Sequence, residues 1–93
     1  MRMLRYEIKA HHHNQYESLK SHYYFQIASK YNKALIPLLV NLLLKDTSFL
    51  VRGAAIWALQ QLDNKNNLTS IKKQHLSIEK NNDVLVEWNL KAN

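Results

Sequence analysis

Along the first third of the chain, Tyr16, Leu19, Tyr23, Ile27 and Tyr31 fall at i, i+3, i+7, i+11 and i+15. That spacing gathers side chains on one face of a helix. The next segment, "KALIPLLVNLLLKD", is apolar almost all round. Pro37 sits within its first turn, where amide hydrogens have no intrahelical partner and a missing N–H costs little. "DTSFL" then breaks the pattern, and Thr47 or Ser48 is placed to cap a helix running from about Phe49 to Leu62. "DNKNN", residues 63–67, closes that helix and opens a polar loop. Beyond it, "NLTSIKKQHLSIEKNND" predicts a weaker helix with Leu68, Ile71, His75 and Ile78 on one face. "DVLVEWNL" predicts a short terminal helix capped by Asp83. With one glycine and one proline the chain lacks the punctuation that hairpins need, and alternating β-type runs are absent. The fold class these patterns predict is all-α.

Two central helices that are apolar on most faces do not suit the surface of a monomeric bundle. Each is expected to be sandwiched between neighbours, as in stacked helical hairpins. An offset of 35 residues supports this, pairing Ile36 with Ile71, Leu43 with Ile78, Lys45 with Lys80, Leu50 with Leu85 and Val51 with Val86. Periods in the thirties belong to helical solenoids. The expected architecture is a short stack of antiparallel hairpins over residues 25–93. Residues 1–24 form a basic, His-rich segment, expected to be partly helical or disordered.

Composition narrows the function classes. A chain of 93 residues makes one small domain, or two to three repeat units, with little surface to bury. The absence of cysteine removes disulfides, thiol nucleophiles, iron–sulfur ligation and cysteine zinc sites together. The longest near-apolar run, Ala34 to Leu44, is 11 residues and too short to span a bilayer. "MRMLRYEIKAHHH" has no apolar core or small-residue cleavage site, so it does not suit a secretory signal. A soluble, cytoplasmic protein without membrane partners is expected. Of the net charge of +6, residues 1–33 hold +4, beside four of the five histidines. A basic, aromatic-bearing end suits phosphates; a genome that inflates lysine and asparagine raises charge just as well.

The central stretch carries a resemblance. "KALIPLLVNLLLKDTSFLVRGAAIWALQQL" resembles a HEAT-like repeat: an "A-x-x-P-L-L" start, Asp46 in the turn, Arg52 six residues later, and "VRGAAIWAL" as the inner helix. The resemblance implies that Asp46 and Arg52 take part in a hydrogen-bonded ladder between stacked repeats. "IASKYNKALIPLL", "LVRGAAIWAL" and a degraded unit ending "DVLVEWNL" are also similar to one subfamily, the C-terminal HEAT-like domain of bacterial epoxyqueuosine reductases. The likeness covers roughly Phe25 to Leu90 and is strongest over residues 34–62. Those enzymes perform the last step of queuosine synthesis on transfer RNA, with cobalamin and two iron–sulfur clusters, and their C-terminal repeats help hold the RNA.

This chain departs from them. It has no cysteine for clusters, residues 1–24 are too few for the catalytic part, and Glu87 stands where the offset would put a second Arg52. The ladder is therefore expected to break in the last unit. What the resemblance implies is a non-catalytic, tRNA-binding helical module without a cofactor, a detached or degraded fragment rather than an enzyme. The alternative is a protein-binding or self-associating scaffold with no RNA role.

Candidate chemistry is sparse. His11, His12 and His13 with His22 suggest a metal, but adjacent helical side chains point about 100° apart and do not converge on one ion. An exposed polar tract and no metal are expected. Ser18, Ser21 and Ser29 lie near histidines without the strand–turn–helix elbow or glycine-rich loop that nucleophilic catalysis uses. Trp57 and Trp88 have rings able to stack on bases. Trp57 with Leu59 in an apolar helix suits core packing, and Gly53 suits close approach of a neighbouring helix. Lys65, Lys72, Lys73 and Lys80 are the candidate RNA contacts. On one continuous helix Lys65, Lys72 and Lys80 would share a face, diluted by Asp63, Glu79 and Asp83, so a solvated face fits the pattern equally.

Overall fold

The computed structural model describes residues 15–27, 33–62 and 67–90. They form α1 (15–27), α2 (Leu35–Lys45), α3 (Phe49–Leu62), α4 (Asn67–Leu76) and α5 (Asn82–Glu87), with no strand among the described residues. The fold is all-α. No helix among them is long and apolar enough to cross a membrane.

α3 is the centre. It packs against α2 on one side and α5 on another, and α2 also touches α4. α1 adds a further neighbour, with Tyr16 against Phe49 and Tyr24 against Trp57. Enclosure from these sides explains why "FLVRGAAIWALQQL" is apolar on nearly every face. Gly53, Ala54, Ala55, Ile56, Ala58, Leu59 and Leu62 are all buried. Four of those seven are glycine or alanine, which lets neighbouring helices approach closely.

α2 differs from expectation. Its apolar sequence predicts a sandwiched helix, yet only Leu39 and Leu43 are buried. Leu38 is 51% exposed, and Pro37, Asn41 and Lys45 also face outward. α2 packs inward on α3 and sideways on α4, leaving its outer face open. Pro37 is the third helical residue, where its missing N–H disrupts nothing.

The turn between α2 and α3 is built by side chains. The Ser48 N–H donates to Asp46 Oδ1 at 2.8 Å. Ser48 Oγ in turn accepts from the Val51 N–H at 3.4 Å, making Ser48 the cap of α3. The α5 cap is Asn81, not Asp83. Asn81 Oδ1 accepts from the Asp83 N–H at 2.8 Å and the Val84 N–H at 3.2 Å. Asp83 instead lies in the first turn, where its charge suits the helix dipole.

α1 runs across the boundary expected between residues 24 and 25. Its Tyr23 and Ile27 belong to the same core as Leu39, Leu43 and Leu59. Of its expected apolar face, Leu19 is partly buried and Tyr31 lies outside the described residues.

Candidate functional site

Arg52, in the first turns of α3, ties three parts of the chain together. Its Nη1 donates to the Asp46 carbonyl oxygen at 2.9 Å. Its Nε and Nη2 grip Glu79 bidentately, at 2.7 Å to Oε1 and 3.0 Å to Oε2. Bidentate arginine–carboxylate pairs are among the strong, geometrically specific hydrogen bonds. Arg52 is thus paired with a turn 27 residues away, and Asp46 contributes its backbone while its carboxylate shapes the α3 cap.

Glu79 is saturated. Oε1 also accepts from His75 Nε2 at 2.7 Å, and Oε2 accepts from the Lys80 and Asn81 N–H groups at 3.2 and 3.1 Å. Burial alone would raise its pKa. The Arg52 hydrogen bonds, the Asn81 N–H and His75 more than offset this and hold it at about 2.

His75 has no exposed surface, and both ring nitrogens are engaged. Trp88 Nε1–H donates to His75 Nδ1 at 2.9 Å. An indole N–H can only donate, so Nδ1 must be the accepting nitrogen and the proton sits on Nε2, donating to Glu79. The result is a directed chain from Trp88 after α5, through His75 of α4, to Glu79 and on to Arg52 of α3. Its chemical capacity is structural, because every group in it is spent on another.

A cleft of about 610 Å³ opens beside this chain, with Leu43, Leu44 and Ile78 on its apolar side and Lys80 and Asn81 at its rim. Arg52, Glu79 and His75 form its polar wall with their hydrogen bonds already committed. The wall presents no nucleophile beside a general base.

The expected core residues lie close together on α3. Leu59 is fully buried. Gly53 is buried under α1, and a Cβ there would stand 2.5 Å from the Tyr16 ring, so any side chain at this position would have to push that ring aside. Trp57 is half-buried at the core's edge, 6.3 Å from the Tyr24 ring. Trp88 is the more buried tryptophan, at 7% exposure. Glu87, expected to break a ladder, turns elsewhere: it is buried and meets Lys20 of α1 at 3.5 Å.

The lysines separate. Lys65 lies outside the described residues. α4 ends at Leu76, so Lys72 and Lys80 do not share one continuous helix, contrary to the sequence pattern. Lys72 Nζ lies 5.9 Å over the Trp88 ring, a cation–π distance, while Lys73 and Lys80 are exposed. His11, His12, His13 and Ser29 also lie outside the described residues. His22 hydrogen-bonds Gln26 at 2.9 Å, and Ser18 and Ser21 are exposed. Among the described residues no cluster of three metal-ligating side chains is present.

The chain matches no protein-family model, no curated protein and no solved structure.

Sequence reasoning missed His75, Glu79 and Trp88 as a unit. One signal was available: His75 and Glu79 stand at i and i+4, the spacing of facing helical side chains.

Proposed function

We propose that the chain is a non-catalytic binding module in which α2–α3 and α4–α5 are two stacked HEAT-like hairpins, and that the second hairpin grips transfer RNA. The observation that carries this is the fate of the acidic residues. Residues 67–90 contain Glu79, Asp83 and Glu87. Glu79 and Glu87 are turned inward, their side chains 3% and 6% exposed, against Arg52 and Lys20. Lys73 and Lys80 are exposed and Lys72 is half-buried with its ammonium over the Trp88 ring, only Asp83 is left to dilute them, and α4 itself has no acid. Such a surface favours phosphates, with a salt-dependent affinity. The reading of RNA as the partner comes from the resemblance to the epoxyqueuosine reductase C-terminal domain.

Size-exclusion chromatography with and without transfer RNA at low salt tests the reading, and co-elution is expected. The double substitution Lys72→Glu with Lys73→Glu should weaken filter binding by roughly tenfold or more, since each phosphate contact adds to the salt-sensitive term. Unchanged binding removes both lysines. A second reading, a protein-binding scaffold, has its own observation. Leu76, Ile78, Val86 and Leu90 in the second hairpin are 46%, 53%, 37% and 49% exposed. Absence of RNA affinity, with association lost on Ile78→Asp, would favour it.

A further inference from the structure

His75 has no exposed surface, and its two ring nitrogens do opposite jobs. Nε2–H donates to Glu79 Oε1 at 2.7 Å, while Nδ1 accepts the Trp88 indole N–H at 2.9 Å. The two bonds tie different parts of the chain. Glu79 follows His75 by four residues and is gripped by Arg52 of α3, so it stands beside the ring whether or not α5 is docked. Trp88 closes α5, and its bond forms only with α5 in place.

A proton on Nδ1 would set two N–H groups against each other, because an indole nitrogen donates and does not accept. The docked arrangement therefore takes only the neutral ring, while the undocked one takes either form. The charges around the ring do not reverse this. Glu79 favours the imidazolium, with Arg52 on the same carboxylate. Asp46 and Lys80 line the cleft beside it, α2 contributes only Leu43 and Leu44 there, and Lys72 of α4 lies over the Trp88 ring. All of these precede α5, so their pull is alike in the docked and undocked states. On α5 itself, Asp83 lies in the first turn and Glu87 is turned to Lys20 of α1. The Trp88 N–H is what tells the two states apart.

We propose that His75 is an acid-operated latch for α5: a proton taken up from solvent on Nδ1 as the helix opens bars the Trp88 indole from returning. Acid thereby uncovers Val84 and the Trp88 ring without untying Arg52 from Glu79. Packing of Val84, the Lys20–Glu87 contact and Gln60 Nε2, 3.4 Å from the Trp88 carbonyl oxygen, still draw the helix back. α5 therefore opens more often, and the rest of the chain stays folded. This inference rests on the α4–α5 geometry and does not depend on RNA binding.

The test compares the natural chain with Trp88→Phe, which keeps most of the ring and removes the indole donor. At about pH 7.5 the substitution should raise the unfolding equilibrium constant roughly tenfold, through loss of one buried hydrogen bond. At about pH 5, where imidazoles carry a second proton, it should raise the constant less than about twofold, since Nδ1 no longer accepts. Both chains contain Glu87, so its own titration cancels in the ratio. An equal ratio at the two pH values overturns the proposal. A second measurement, on the natural chain alone, guards against a variant that fails to fold: heteronuclear NMR spectra of the histidine rings and the Trp88 indole through the same pH range. Protonation of His75 Nδ1 together with at least about tenfold loss of indole protection, corrected for the intrinsic pH dependence of exchange, supports the latch. Protection that persists once Nδ1 is protonated, or an Nδ1 still unprotonated at about pH 5, refutes it.

Discussion

The α2–α3 and α4–α5 regions share one core but differ in how much of their hold is polar. In α2–α3, burial of Leu39, Leu43, Ile56 and Leu59 leaves those side chains no exposed surface. Each such residue contributes about 1.5–3 kcal/mol of hydrophobic stabilisation. In α4–α5, Leu68, Val84 and Trp88 are the buried apolar side chains, and His75 and Glu87 are buried beside them. Its attachment combines packing of those side chains in the core shared with α2 and α3 with the directed chain Trp88–His75–Glu79–Arg52. Nonpolar packing tolerates change in proportion to volume. A saturated polar chain fails when one member leaves, because the others are left buried and unpaired.

The largest effect is expected in α3. Leu59→Ala should cost about 2–5 kcal/mol. A small domain has a total of about 5 kcal/mol or somewhat more, so helical circular dichroism should collapse for the whole chain. Survival of α4–α5 helicity would break the comparison, since those helices would then stand without the support of α3.

Glu79→Gln comes next. It retains shape but removes the charge that Arg52 grips, at a cost of about 1.5–3 kcal/mol in urea denaturation. The same carboxylate makes a pH prediction. Its folded pKa, about 2, lies below its ordinary value of 4.5. The stability it contributes is therefore present above about pH 4.5 and lost as pH falls toward 2. Glu87, which burial pushes upward against the pull of Lys20, acts in the opposite sense and favours folding as it protonates. Glu79→Gln should flatten the acid-side loss of stability. An unchanged acid limb would remove Glu79 as its source.

Trp88→Phe should have the smallest effect of the three. The ring volume is largely kept, but His75 Nδ1 loses its donor in a buried site, costing about 1–3 kcal/mol by the same denaturation assay. A change within about 0.5 kcal/mol would mean that the indole N–H bond adds nothing beyond ring packing.

The same contrast decides what could be read from the chain. The bounds of α3 and the cap at Ser48 follow from local pattern and composition. So does the all-α class. α2 misled because hydrophobic residues alone do not say how many neighbours a helix has, and Leu38 is left outside. The end of α4 was hidden because Ile78 continues the helical spacing. The helix stops where Glu79 turns back to Arg52 and receives the Lys80 and Asn81 N–H groups. That pairing spans 27 residues, and a search at an offset of 35 passes over it. Glu87 and Lys20 are further apart still, and Gly53 showed only that something must come close, without naming Tyr16.

Hydrogen exchange resolved by residue, comparing the natural chain with Glu79→Gln, tests the central claim most directly. If the polar chain helps fasten α5, exchange should accelerate at the amides of Leu85 and Val86 and at the Trp88 indole. The amides of Ala58 and Leu59 in α3 should change far less, as expected for a local opening below the global one. Equal acceleration in α3 and α5, or none in α5, would contradict the account.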